Sequence, residues 1–192
     1  MPHLTDEQIK KLEMTANTIR QDIIEMLLEA KTGHSAGPLG MADVFTVLYH
    51  TDAIKHNPKN PEWEERDRVV LSNGHICPVL YSAMARAGYF PPEELKTLRK
   101  FGSRLQGHPH RLMLPGLETS SGPLGSGLSQ SAGMAYAFKM DNKKNQVICL
   151  MGDGELNCGQ VWEATMWAGK NKLDNLTAII DRNNIQIDGF TE

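Results

Sequence analysis

Asp153 stands in Gly152-Asp153-Gly154, and Asn183 stands thirty positions later in Arg182-Asn183-Asn184-Ile185. One carboxylate, one side-chain amide and a nearby backbone carbonyl make an oxygen-only set of low charge. Mg²⁺ is held in that way when waters and ligand phosphates complete its octahedron. The glycines beside Asp153 let the backbone approach a phosphate, and the helix that follows turns its N-terminus to the same place. Alone, Gly-Asp-Gly reads as a tight turn and Asn-Asn as another. Their setting joins them. Gln146 to Met151 and Leu176 to Asp181 are short apolar runs of strand length, and a helical pattern lies between them from about Gln160 to Lys172. A βαβ crossover makes its two strands parallel, with their carboxyl ends on one edge. If the strands are neighbours, both side chains arrive in the crevice where open α/β sheets bind ligands. The residues read as an Mg²⁺–diphosphate site.

Histidines form the second group. His34 lies in Gly33-His34-Ser35-Ala36-Gly37-Pro38-Leu39-Gly40, read as a loop, where little local packing constrains its ring; a surface histidine is the alternative. His75 follows the strand-like run Arg68 to Ser72 and the turn Asn73-Gly74, at the start of a helix near Ile76 that tolerates Pro78 in its first turn. If that strand is parallel to the others, His75 falls on the same sheet edge as Asp153. His108 and His110 flank Pro109 and point in different directions, so at most one faces a site; His110 is assigned to the surface. Imidazoles titrate near neutral pH, which suits proton transfer to and from a bound ligand.

The positioning elements can be read in order. Thr5-Asp6-Glu7-Gln8 has the form of a capping box. Ile9, Leu12, Ala16, Ile19, Ile23 and Leu27 then recur at helical steps, giving an amphipathic helix, broken at most once, that ends near Thr32-Gly33. Its stripe is expected to pack on the sheet or on a neighbouring protein chain. Another helix follows from Met41 to His50, and a short one from Pro91 to about Lys100. Gly122-Pro123-Leu124-Gly125-Ser126-Gly127 leads into a small-residue helix from Leu128 to Met140, suited to close packing. That turn matches no nucleotide-binding fingerprint.

A chain of 192 residues suffices for one domain with a real core. A net charge of −3 gives no support for nucleic-acid binding, and no apolar run reaches membrane-spanning length. Cys77, Cys149 and Cys158 are odd in number and lack metal spacing, so they read as free thiols in a reducing compartment. A cytoplasmic protein is expected.

Five motifs in order resemble transketolase over nearly the whole chain: Gly33-His34 with Gly40-Met41-Ala42-Asp43, Leu71-Ser72-Asn73-Gly74-His75, Gly107-His108-Pro109, Thr119 to Gly125, and Gly152-Asp153-Gly154 with Asn183. Gly154-Glu155 and Gln160-Val161-Trp162-Glu163-Ala164 are most similar to the amino-terminal subunit of split transketolases. The resemblance implies an α/β fold with a doubly wound, mainly parallel sheet flanked by helices. It makes residues 1–192 a single thiamine-diphosphate-binding (diphosphate) domain that continues past Glu192.

By the same resemblance Asp153, Asn183 and the carbonyl of Ile185 would hold Mg²⁺, with Ca²⁺ or Mn²⁺ as substitutes. Gly154 and Asn183 would bind the diphosphate of thiamine diphosphate, and His75 would contact it. Gly122, Pro123 and Leu124 would line the cofactor. His34 would touch the sugar hydroxyls, and His108 the donor carbonyl end; His34, His75 and His108 make the catalytic set. Cys158 stands where the family usually carries a glutamate of a carboxylate network between two cofactor sites. Glu163 would be its remaining member and is placed with the cofactor-binding residues. The implied reaction moves a two-carbon ketol unit from a ketose phosphate to an aldose phosphate in the pentose phosphate pathway. A 1-deoxyxylulose-5-phosphate synthase-like enzyme, or a cofactor-binding subunit without activity of its own, is the alternative. The glutamate that acts on the aminopyrimidine ring comes, in this family, from a pyrimidine-binding domain. That predicts a partner chain and two copies of each subunit.

Overall fold

The computed structural model describes residues 4–187 and 189–191. Glu192 lies outside them. The chain divides into two compact units, one made of residues up to Pro61 with His75–Gly107, the other of Glu62–Gly74 with the residues from His108 onward.

The first unit is helical. Helix α1 (Asp6–Ala30) begins at the capping box, with Thr5 Oγ1 accepting from Gln8 N and Gln8 Oε1 accepting from Thr5 N. It runs unbroken to Lys31, whose left-handed backbone ends it. Its buried stripe, Ala16, Ile19, Ile23 and Met26, packs against α3 (Ala42–His50) and α4 (Cys77–Ala87), where the sequence reading expects the sheet or another protein chain. Asp22 explains the choice. This carboxylate interrupts the stripe and is met by Arg86 at 2.6 Å and by Ser82 at 2.7 Å, both on α4. A charge buried at that position is stable only against a partner that pairs it.

Ala36–Gly40, read from its glycines and proline as loop, forms a short helix, α2. Pro38 sits in its first turn, where no backbone N–H is required, and is buried. A 3-10 segment, Pro92–Thr97, closes this unit in place of a helix reaching Lys100.

The second unit holds a parallel sheet of β1 (Arg68–Leu71), β2 (Val147–Gly152) and β3 (Leu176–Asp181), in the order β1-β2-β3. Leu71 pairs with Leu150, and Gly152 with Asp181, so the strands that precede Asp153 and Asn183 are neighbours in register. Helices α5 (Gly127–Met140) and α6 (Gly159–Lys170) flank them. Val147, Cys149 and Met151 on β2 pack with Leu128, Ala132 and Val161 on the helices. Only one face of α5 is used in this way; Ser129, Gly133, Tyr136 and Met140 are exposed. Beyond β3, β4 (Ile185–Gln186) and β5 (Gly189–Phe190) make a small antiparallel pair. Cys77, Cys149 and Cys158 are free thiols. Among the described residues no helix is long and apolar enough to cross a membrane.

Candidate cofactor and metal site

In the second unit, Asp153 opens a 3-10 turn, Asp153–Asn157, directly after β2. Its carboxylate is 6% exposed. Oδ2 accepts from Asn184 N at 2.7 Å and from Thr191 Oγ1 at 3.0 Å, and Oδ1 makes no bond among the described residues. Asn183 is exposed; its Oδ1 accepts from Ile185 N at 3.0 Å and its Nδ2 donates to Asp181 at 3.2 Å. Asp153, Asn183 and Ile185 therefore belong to one hydrogen-bonded patch. Gly154 seals it. A Cβ there would lie 3.0 Å from Gln186 Cβ and Oε1, closer than ordinary contact, so a side chain at 154 would press on β4.

This patch fits the group that the sequence implies. No three His, Cys, Asp or Glu side chains gather around a metal position among the described residues. The set here has one carboxylate, one amide and one backbone carbonyl, which suits a hard cation that draws its other ligands from a diphosphate and water.

Glu155, two residues on, has no site role in the sequence reading. It is 1% exposed and joins three pieces of chain. Oε1 accepts from Ser72 Oγ and, at 2.7 Å, from Gly125 N; Oε2 accepts from Gly152 N at 2.8 Å. The Gly122–Leu124 turn is thereby fixed to the end of β1 and to the turn that carries Asp153. Gly125 itself has φ +83°, and a Cβ on it would stand 2.7 Å from Cys158 Cβ. The entry to the turn is also anchored: Glu118 pairs with Arg66 at 3.2 Å and with Arg68 at 3.4 Å. Burial pushes the Glu118 carboxyl up, against the pull of the two guanidiniums.

The histidines divide between the units. In the first, exposed His34 and half-buried His75 face each other with ring centroids 5.0 Å apart and planes tilted by 54°. In the second, His108 is exposed and close to the end of β1: a Cβ on Gly74 would lie 3.2 Å from its Cδ2. His110 is exposed, as assigned. Glu163 stands on the exposed side of α6 without a hydrogen bond among the described residues. An open groove of about 530 Å³ between α5, α6 and β3, lined by Leu173, Leu176 and Ala178 among others, shares no residue with the Asp153 patch.

The family described as "Transketolase, thiamine diphosphate binding domain" matches residues 11–192. The 6-deoxy-6-sulfo-D-fructose transketolase subunit SqwG of Clostridium sp. (strain MSTE9) is 43% identical over 98% of this chain and 68% of its own length. An apulose-4-phosphate transketolase subunit from Phocaeicola vulgatus is 43% identical over 96% of this chain and 65% of its own length. Transketolase 1 of Escherichia coli (strain K12) is 42% identical over 92% of this chain, which spans 28% of that protein. The crystal structure of transketolase from Campylobacter jejuni superposes with a TM-score of 0.87 at 41% identity, covering 93% of this chain and 29% of the other. The transketolase from Leishmania mexicana gives 0.88 at 36% identity, covering 98% and 29%. The chain thus spans about two thirds of the two subunit-type relatives, and less than a third of the longer ones.

Proposed function

Because the chain belongs to the transketolase family, as its thiamine diphosphate binding domain, we propose that it is the diphosphate-binding subunit of a two-chain transketolase. It would move a two-carbon ketol unit from a ketose phosphate to an aldose phosphate. The observation that carries the reading is the Asp153 patch, in which the turn after β2 accepts the backbone of Asn184 and leaves one carboxylate oxygen uncommitted among the described residues. Asp153, Asn183 and the Ile185 carbonyl would hold Mg²⁺, and Gly154 and Asn183 the diphosphate. Thiamine diphosphate, when bound, supplies the carbanion chemistry.

The chain's own residues bind and orient. Glu155 holds the Gly122–Leu124 turn, which would line the cofactor. His75 would contact the diphosphate, His34 the sugar hydroxyls, and His108 the donor carbonyl end. Imidazoles in those places would hold or move protons on hydroxyl oxygens at neutral pH. Glu163 is kept as a member of the cofactor set. Residues 1–192 are read as part of one diphosphate domain.

A pyrimidine-binding chain would complete the site, with two copies of each subunit in a cytoplasmic enzyme. Two subunit-type relatives carry the names of a sulfonated ketose and of apulose-4-phosphate, so those donor classes join ordinary ketose phosphates in the assay. The test is to saturate the purified chain with thiamine diphosphate and Mg²⁺ and to measure ketol transfer with and without the partner chain. Transfer is expected only with both chains. Full turnover by this chain alone overturns the two-chain reading, and no transfer from any of these donors by the pair overturns the transketolase reading.

A further inference from the structure

Two arginines of the first unit, Arg99 and Arg104, stand in one loop and are used differently. Arg104 pairs with Glu94, its Nη2 2.8 Å from Oε2, and its Cζ lies 5.5 Å from the centre of the Phe90 ring. Arg99 is half-buried and has no carboxylate partner among the described residues. One arginine braces the loop through an ion pair. The other reaches elsewhere.

Its backbone is well fixed. Arg99 follows the 3-10 segment in a left-handed conformation, φ 60°, and its N–H donates to Leu105 O at 2.9 Å. Leu98 and Leu105 are 1% and 0% exposed and pin the loop on both sides of this bond. From that start the guanidinium lies flat on Gly107: a Cβ there would be 2.8 Å from Nε, 2.9 Å from Cζ and 3.2 Å from Nη2. A Cβ on Gly33 would be 3.8 Å from the same Nε. Nη1 donates to Thr32 Oγ1 at 3.4 Å and Nη2 to Gly107 O at 3.5 Å. Both are longer than ordinary N–H···O bonds, so the seat is made mainly by packing of a planar group. Gly107 has firmer anchors as well. Cys77 Sγ donates to its carbonyl at 3.2 Å, and Tyr81 Oη donates to Gln106 O at 2.9 Å. Among the described residues Thr32, Gly33 and His34 have no side-chain hydrogen bond but the one to Arg99.

Gly33 and Gly107 each directly precede a histidine of the candidate catalytic set, His34 and His108. We propose that Arg99 is a positioning residue, a strut whose one guanidinium sets the spacing between the two turns that lead into His34 and His108. The Gly107 end is held by Cys77 and Tyr81, and Arg99 carries that placement across to the Gly33 end. The proposal rests on the substrate roles given above to His34 and His108. The Asp153 patch is built from other elements, in the second unit, so Arg99 acts on the handling of the sugar and leaves cofactor uptake alone. The rigid fork of arginine can meet two turns at once, whereas lysine offers a point charge on a flexible stem. Glycine at 107 serves the same end, because a side chain there would push the guanidinium off its seat.

The experiment compares Arg99→Met and Arg99→Lys with Arg104→Met. The imidazole NMR signals of His34 and His108 are recorded in the cofactor-free chain. In the chain mixed with its partner subunit, kcat, the donor KM and the affinity for thiamine diphosphate with Mg²⁺ are measured. A small misplacement of reacting groups costs up to about 100-fold in rate, so kcat should fall about 10- to 100-fold in both Arg99 variants. Both imidazole signals should move in both variants, with cofactor affinity unchanged. Arg104→Met should lower the melting temperature and leave the two signals in place. Wild-type kcat and unmoved signals in Arg99→Lys overturn the inference, since charge alone would then suffice. A raised donor KM with unmoved signals overturns it too, because Arg99 would be meeting the donor itself. So does a loss of cofactor affinity as large as the loss in kcat, the mark of a general loosening. A wild-type pair that transfers no ketol unit overturns the underlying reading instead. The imidazole signals, recorded without cofactor or partner, still decide whether Arg99 holds the two turns.

Discussion

The turn after β2 and the segment after β3 carry the two side chains that define the candidate site, and they are held in opposite ways. The first is built into the core: Glu155 is buried and accepts three hydrogen bonds, two of them from distant pieces of chain. The second is exposed from Asn183 to Ile187 and keeps its shape mainly through short-range bonds, Asn183 to Asp181 and Ile185 to Asn183. What fastens it to the first is Asp153, through Asn184 N and Thr191 Oγ1. One half of the site is thus set by the fold before any ligand comes. The other half hangs on the carboxylate proposed to ligate the metal, so metal binding and the order of the 183–187 segment would be coupled through one residue.

Breaking the rigid half gives the largest effect. In Glu155→Ala, the N–H groups of Gly125 and Gly152 and the hydroxyl of Ser72 lose their acceptor together. A buried donor left unpaired costs about 1–3 kcal/mol, so the chain should lose on the order of 3–5 kcal/mol in chemical denaturation. That is a large share of the roughly 5–15 kcal/mol that hold a domain folded. The Gly122–Leu124 turn should come loose at the same time, seen as faster amide exchange at Gly125. A loss below about 1 kcal/mol would mean that the three donors find other partners, and that the turn is not positioned by Glu155.

Asp153→Ala addresses the coupling itself. Two hydrogen bonds disappear, but their donors, Asn184 N and Thr191 Oγ1, lie near the surface and can turn to water, so the fold should lose only about 1 kcal/mol. Mg²⁺-dependent binding of thiamine diphosphate should vanish, and the 183–187 segment should become open to proteolysis in the otherwise folded chain. Unchanged cofactor affinity in this variant removes Asp153 from the metal set. Lost affinity with a protease-resistant segment would show that the second half holds itself.

The same contrast marks what is legible in the sequence. Apolar β-branched runs point to β2 and β3 together with their parallel pairing, and that pairing brings Asp153 and Asn183, just past the carboxyl ends of the two strands, to the edge where ligands gather. Glu155 carries no such signal. An acidic residue two positions after Asp153 looks like a surface charge or a second ligand. Its burial depends on Ser72 and Gly125, which are 83 and 30 positions away. The short helix Ala36–Gly40 is hidden by its own glycines and proline, whose usual meaning is loop. The stripe of α1 is plain in the sequence, yet its partner is not, since the Asp22 pairing with Arg86 spans 64 positions. Periodicity reports which face is buried and is silent on what buries it.

The smallest expected effect belongs to Cys158, where the rigid half meets α6. This half-buried thiol occupies the N-cap position of α6, with no side-chain cap bond to the helix, and its Sγ is 3.8 Å from Leu124 O. Gln160 Nε2 donates to the same carbonyl at 3.2 Å. A carboxylate at 158 would be repelled by Leu124 O and would turn outward, toward the helix N-terminus and solvent. The helix dipole favours a negative charge there by about 0.3–1 kcal/mol, so Cys158→Glu should keep or slightly raise the melting temperature. The more telling readout is association. The resemblance to transketolases places a glutamate of an inter-site network at this position, and Glu163, exposed on the same helix, would be its other member. If that network can be restored, sedimentation of the Cys158→Glu chain with its partner should show tighter cofactor-dependent assembly than the wild type. An unchanged assembly with an intact fold would mean that residue 158 does not link the two sites in this protein, and that Leu124, held by Gln160 and Glu155's grip on Gly125, is positioned without it.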